Sequence, residues 1–372
     1  MSSDGVRSAG ELVVTTPAPR GEWRDIVAAD PDVLVSQTPQ WLDCVRSVGG
    51  GADASRLYRA GDGGRFVLPL VRRGPPSLRL SRFESMPAAW GFGGVVASRP
   101  PDAGLLRGVL DDLASLGALR IHLRPNPLHA ATWEVAAAGR AVRLARLAHV
   151  LDLDGGFEQV WAQRFTAVTR RNVRAAERRG VVAEVGRSPR LVASFYRLLE
   201  QSFDRWAEQQ SEPRPLARLR GRRRDPIDKF EALTAAMGDA CQIWLASYEG
   251  RPAAAILVLQ GTNAHYTRGA MDKRLAAECH ANSLLHKLAI EDACAAGCRA
   301  YHMGETGAAQ GLARFKARFG AVAHPYAEYR IERLPLTRGE QLLKKTVKRL
   351  IGFHDATGVS LPSSSSSGDG QV

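Results

Sequence analysis

The segments Gln242-Ile-Trp-Leu-Ala-Ser-Tyr248, Pro252-Ala-Ala-Ala-Ile-Leu-Val-Leu259 and His265-Tyr-Thr-Arg-Gly269 follow one another in the chain, separated by Glu249-Gly250 and Gly261-Thr262-Asn263. The separators are turn sequences and the segments are rich in β-branched, aromatic and aliphatic residues, so the stretch predicts a three-stranded meander. The middle segment is apolar throughout rather than alternating, as a strand covered on both faces must be, and is expected at the centre of its sheet.

Outward from the meander, Leu284 to Ala296 reads as a helix closed by Gly297, and Cys298 to Met303 as a further strand. The first half of the chain repeats this order. Trp41 to Val48 reads as a helix. Ser55–Arg59 and Phe66–Val71 read as strands around the hairpin signal Asp62-Gly63, with further strands at Leu78–Phe83 and Gly94–Ala97. Leu105–Leu116 is a helix by its apolar spacing, and Leu119-Arg-Ile-His-Leu123 is a strand. A strand from Val142 to Leu153 joins the halves, and helical segments fill the chain to about residue 240. Mixed strands with helices on their faces imply an α/β (α+β) architecture with mixed central sheets and flanking helices. The expected division is 1–150, 151–335, and a 336–372 segment made of a helix and a disordered Ser/Gly tail.

The chain has 372 residues, 45% of them hydrophobic and 24% charged, which excludes collagen-like, coiled-coil and wholly disordered classes. Lys and Arg number 51 against 38 acids, for a net charge of +13. The excess is local. Arg164–Arg179 supplies +5 and Arg214–Arg224 supplies +6. In the first segment Arg170, Arg174 and Arg178 form one i, i+4 column with Arg171 beside it, a repulsive arrangement suited to an anionic partner or to a solvated face. The second contains Pro213, Pro215 and Gly221 and is expected as a loop.

Five cysteines, an odd number, argue against a disulfide framework; with no visible signal peptide, a cytoplasmic location is expected. The longest apolar run falls far short of the roughly 18 residues that span a bilayer. No Gly-x-Ser-x-Gly, His-Glu-x-x-His or phosphate-loop sequence occurs. Cys294, Cys298 and His302 lack a fourth ligand at zinc spacing, so no metal is expected. Arg46-x-x-Gly49-x-Gly51 follows a helix instead of a strand and reads as a helix C-cap.

Four stretches resemble a known family: Thr169-Arg-Arg-Asn-Val-Arg-Ala-Ala-Glu-Arg-Arg-Gly180, Phe195-Tyr-Arg-Leu-Leu-Glu-Gln-Ser-Phe-Asp-Arg205, Glu249-Gly-Arg-Pro-Ala-Ala-Ala255 and Gly311-Leu-Ala-Arg-Phe-Lys-Ala-Arg-Phe-Gly320. Together with Thr38-Pro-Gln-Trp41 they resemble the Fem-type branch of the GNAT acyltransferase superfamily, with its neighbouring acetyltransferases of polysaccharide clusters. The likeness covers about residues 150–330; the first half agrees in pattern only. It implies two tandem GNAT-like domains and transfer of an acyl or aminoacyl group to an amine, with acyl-CoA or aminoacyl-tRNA as co-substrate and no tightly bound cofactor. The acceptor it implies is an amine-bearing small molecule or a glycan or peptide precursor of the cell envelope.

By the same resemblance Lys316 lies in the active-site channel and stabilises charge on the reacting ester. Glu305 and His302, at the Gly-rich exit Tyr301-His-Met-Gly-Glu-Thr-Gly307, are candidates to accept the amine proton. Arg170, Arg171, Arg174, Arg205, Tyr266, Arg268 and Phe315 are candidates for donor or acceptor binding. Asn282 reads as a helix N-cap. Two alternatives compete with the CoA-dependent enzyme: a tRNA-dependent peptide-bond-forming transferase, and a nucleic-acid-binding protein on a non-catalytic acyltransferase scaffold. A basic amphipathic stretch at Leu342–Ile351 adds a peripheral membrane contact as a candidate.

Overall fold

The computed structural model describes residues 12–342 except 76, 210, 211, 308 and 309. The expected membrane-docking stretch beyond Leu342 and the expected disordered tail lie outside the described residues. No described helix is long and apolar enough to cross a membrane.

The first half runs β1 (Val13–Thr15), α1 (Arg20–Ala29), α2 (Pro39–Gly49), β2 (Ala52–Asp53), β3 (Arg56–Arg59), β4 (Arg65–Leu68), β5 (Val71–Arg73), β6 (Arg82–Ser85), β7 (Val96–Ala97), α3 (Ala103–Ser115), β8 (Arg120–Leu123), α4 (Ala130–Ala137) and β9 (Val142–Asp152). Thr38 N-caps α2, accepting from the Trp41 amide. Gly50, at φ 69°, ends it by donating to the Arg46 carbonyl, the C-cap expected of that sequence.

The second half continues with α5 (Gly156–Gln159), α6 (Ala167–Arg178), β10 (Val182–Gly186), α7 (Pro189–Gln209), α8 (Arg214–Arg224), α9 (Ile227–Met237), β11 (Cys241–Tyr248), β12 (Arg251–Gln260), β13 (Ala264–Met271), α10 (Lys273–Cys279), α11 (Ala281–Ala295), β14 (Ala300–Glu305), α12 (Gln310–Ala317) and β15 (Val322–Glu332). The meander is β11-β12-β13, and β12, buried along most of its length, lies between the other two.

Residues 214–224 are helical, contrary to the expected loop. Pro213 and Pro215 fall at the cap and first turn, where a missing N–H costs nothing. The arginines of α8 are largely neutralised within the chain. Arg218 pairs with Asp204, Arg220 with Glu212 at 2.6 Å, Arg222 with Glu200 and Arg224 with Asp225, while Arg214 meets Glu208.

Eleven strands form one sheet in the order β10-β11-β12-β13-β14-β9-β15-β8-β6-β5-β2. The order is nearly palindromic about β9 and β15, and the last strand of each half has crossed over. β9 pairs with β14 of the second half, β15 pairs with β8 of the first, and the two pair with each other over nine residues. Pro325 sits in this seam without loss of a ladder bond. Its partner Leu147 turns its carbonyl the other way, to the Thr306 amide. A separate sheet, β1-β3-β4-β7, completes the first half.

Candidate active site

Two parallel strand pairs flank the seam. β6 and β8 stay paired over four residues, Arg82 to Ser85 against Arg120 to Leu123. β13 and β14 pair only at Ala264 with Tyr301 and His265 with His302, then separate. A cavity of about 490 Å³ opens where they part, lined by His265 to Gly269 on one side and Met303 to Glu305 on the other.

The separation has a local cause. β14 breaks register against β9 between His302 and Glu305, with Gly304 in the left-handed region at φ 70°. The resulting bulge aims the Gly304 and Glu305 carbonyls at Lys316, on α12. The Lys316 Nζ donates to both at 2.8 Å and to the Thr306 hydroxyl at 3.2 Å. Lys316 is only 1% exposed, so it is no surface lysine. Burial lowers its pKa to about 7, against the opposing pull of Glu305. Glu305 is exposed at the cavity edge and its carboxylate accepts from the Tyr326 hydroxyl. Burial first, then the neighbouring Glu305, pushes the Tyr326 phenol well up, so it stays a donor.

The roof of the cavity comes from the first half. Ala88, Ala89, Gly91 and Phe92 line it, and Phe92 stacks on His265 with ring centres 5.1 Å apart. The second half clamps this loop. Asp225 is fully buried and binds Lys229 at 2.8 Å and Arg268 at 3.1 Å, and both cations donate to the Ala89 carbonyl, at 2.6 and 3.1 Å. Burial raises the Asp225 pKa, but Arg268, Lys229 and Arg224 outweigh it and hold the carboxyl well below its usual range.

The remaining sequence candidates separate into two groups. Tyr266 and Arg268 line the cavity, and burial pushes the Tyr266 phenol up to about 12. The others do not line it. His302 is fully buried behind Phe92 and His265, with ring centres 6.2 and 6.1 Å away; neither ring nitrogen is hydrogen-bonded among the described residues, and burial lowers its pKa to about 3. Phe315 packs on His286 and Phe319. Arg205 ties α7 to the Met271 carbonyl at 3.0 Å. Arg170 donates to the Trp161 and Ala162 carbonyls, whereas Arg171 and Arg174 are exposed on α6. Asn282 is not the N-cap of α11; His280 is, at φ 57°, and the Asn282 amide reaches the Met271 sulfur at 3.2 Å.

Missed from the sequence were Tyr326, His265, Asp225, Lys229 and the roof loop. The aromatic and glycine cluster Trp90-Gly-Phe-Gly-Gly94 was the one available signal, and it reads as a site only once the halves are brought together.

Among the described residues no group of three or more His, Cys, Asp or Glu side chains is placed to hold a metal ion. All five cysteines are free.

The cleft is formed by the diverging parallel strands β13 and β14 of the second half and roofed by the first half. Residues 163–317 match the model of the GNAT acetyltransferase domain. The structure is similar to the crystal structure of FemX, at TM-score 0.62 and 13% identity, covering 92% of this chain and 99% of that one. A tandem GNAT protein from the clavulanic acid biosynthesis pathway matches more loosely, at TM-score 0.40 and 15% identity, over 86% of this chain and 97% of the other. No curated protein matches the sequence. The chain shares the fold of FemX over most of its length, and the match to the GNAT acetyltransferase domain lies in the second half.

Proposed function

We propose that the protein is an N-acyltransferase that takes its acyl group from acyl-CoA and delivers it to an amine on a small molecule or on a glycan or peptide precursor of the cell envelope. The observation that carries this reading is the early separation of β13 from β14, with Lys316 and Glu305 at the open end. An extended thioester chain fits between two diverging strands and can hydrogen-bond to their freed backbone groups. The start of α11 follows β13 and the short α10 in the chain, and Arg179, at the end of α6, donates to the Glu278 carbonyl just ahead of it. Helix-start amides and arginines are suited to a pyrophosphate.

In this reading the amine nitrogen attacks the thioester carbonyl carbon. A C–N bond forms, the C–S bond breaks, and the thiolate leaves to take up a proton. The Glu305 carboxylate, fixed by Tyr326, accepts the proton of the attacking amine. Lys316 supplies positive charge beneath the tetrahedral oxyanion and holds the β14 bulge open through the two carbonyls it binds. Tyr266 and Arg268 form the acceptor wall. Residues 1–150 and 151–335 are proposed as the two acyltransferase-like units, with one working cleft between them.

The internal pairing of the α8 arginines removes much of the charge that favoured a tRNA donor. Calorimetric titration with CoA, followed by an acetyl-CoA assay on an amine panel, tests the reading. Micromolar CoA binding and turnover insensitive to RNase are expected. Activity only with charged tRNA would replace the donor, and nucleic-acid binding without turnover would replace the enzyme.

A further inference from the structure

A second cavity of about 340 Å³ lies over the seam and the strands β8 and β6 beyond it, and shares Ala88 and Arg124 with the first. Its floor is the polar face of β8, β9 and β15, formed by alternate residues including Arg120, His122, Arg146, Glu328 and Arg330. Glu328 is 1% exposed and already satisfied, by His122 at 3.0 Å, Arg124 at 2.8 Å and Arg146 at 3.0 Å. Arg120 and Arg330 are placed differently. They share one carboxylate, that of Glu340, through Oε1 at 2.5 Å and Oε2 at 3.1 Å, and Arg120 is also paired with the buried side chain of Glu332 at 2.7 Å. Glu340 arrives on the helical turn 336–342, over the cavity mouth. Arg82 sits directly across from Arg120 on the paired strand, exposed and with no anionic partner among the described residues. Two guanidinium groups side by side on adjacent strands repel; Glu332 and Glu340 offset this at Arg120, and an added anion would offset it at Arg82.

We propose that this cavity binds an anionic group, a carboxylate or a phosphate, carried by the acyl acceptor. Arg82, Arg120 and Arg330 are its ligands, and the Glu340 carboxylate holds the position until the substrate displaces it. Arginine's fork suits either group in a two-point contact. Anchored here, the acceptor extends past Ala88 and Arg124 toward Glu305 and Lys316. That orientation rests on the acyltransferase reading above; the anion site itself does not.

The test is calorimetric titration of the full chain with inorganic pyrophosphate and, separately, with tricarballylate, at low salt. Glu340→Gln removes the internal competitor and is expected to tighten binding of one probe at least five-fold. Arg82→Met, a substitution at an exposed position outside the core, and Arg330→Met are expected to weaken it at least five-fold. CoA affinity should be unchanged in all three. The tighter probe assigns the group as phosphate or carboxylate. Binding of neither probe, equal affinity in Glu340→Gln and wild type, or indifference to Arg82→Met and Arg330→Met would overturn the proposal. Loss of CoA binding in the wild type would instead overturn the acyltransferase reading and leave the anion site standing.

Discussion

The strand pairs β6–β8 and β13–β14 occupy equivalent places on either side of the seam, yet one is shut and the other open. The shut pair keeps its ladder for four residues and is then sealed by the chain itself. The Gly93 amide donates to the Arg124 carbonyl at 2.7 Å, beside a bridge from Gly93 to Pro125. The open pair has the Gly304 bulge at the corresponding point, with Lys316 beneath it. The same topology therefore yields a wall on one side and a cleft on the other, and a few residues at the strand exits decide which. The chain that seals the first pair also roofs the second, so the difference serves the cleft twice.

The largest expected effect comes from cutting the clamp that joins the two pairs. Asp225→Asn leaves the buried Lys229 and the partly exposed Arg268 without their carboxylate, and removing one partner of a buried ion pair such as Asp225–Lys229 costs about 3–5 kcal/mol. Urea unfolding should show that loss; a change below about 1 kcal/mol would mean that the clamp is not what holds the roof. Next is Lys316→Met, with an expected fall of about 10²–10³ in kcat, measured alongside circular dichroism to show that the fold persists.

The same variant carries a pH signature. The folded ammonium titrates at about 7 against an ordinary value of 10.5. Between those values the unfolded chain binds more protons, so this group makes stability rise with pH across that window. Unfolding free energies at pH 6.5 and 9.5 should show the rise in wild type and a flatter profile in Lys316→Met. An identical slope in both would place the titration elsewhere.

Smaller effects come from adding one methyl to each strand exit. A Cβ at Gly93 would meet the Ser85 carbonyl oxygen at 2.5 Å, so Gly93→Ala should cost about 1–3 kcal/mol and lower Tm. A Cβ at Gly304 has more room, 3.2 Å from the Tyr266 carbonyl oxygen, but φ 70° strains it by about 1–2 kcal/mol. Gly304→Ala should therefore affect activity more than stability, and Gly93→Ala the reverse.

Much of this architecture is legible locally. The meander, the Glu249-Gly250 turn with φ 49° and 71°, the α2 cap and the central position of β12 all follow from short-range patterns. The parts that escape are those whose signals cancel. Pro213 and Pro215 suggest a loop unless they are seen as a helix start. β15 carries Pro325 and alternates weakly, because its seam position is set by pairing with β9. β10 is a largely exposed edge strand with little apolar pattern. At the site, Glu305 stands out on a Gly-rich strand exit and Lys316 through its surrounding signature. Asp225 and Lys229 do not, because their meaning lies in a carbonyl 140 residues away from Lys229 in the chain.

The crossed strands β9 and β15 bear on how such a molecule can be inherited. Each half closes its neighbour's sheet, so a fragment ending near residue 150 would leave β8 without its β15 partner, and the complementary fragment would leave β14 with a bare edge. The half with the shut pair cannot be discarded, whatever chemistry it lacks, and the two should lose structure in a single cooperative step. With the strands exchanged, the two halves can differ in their sites but cannot be separated without baring a sheet edge.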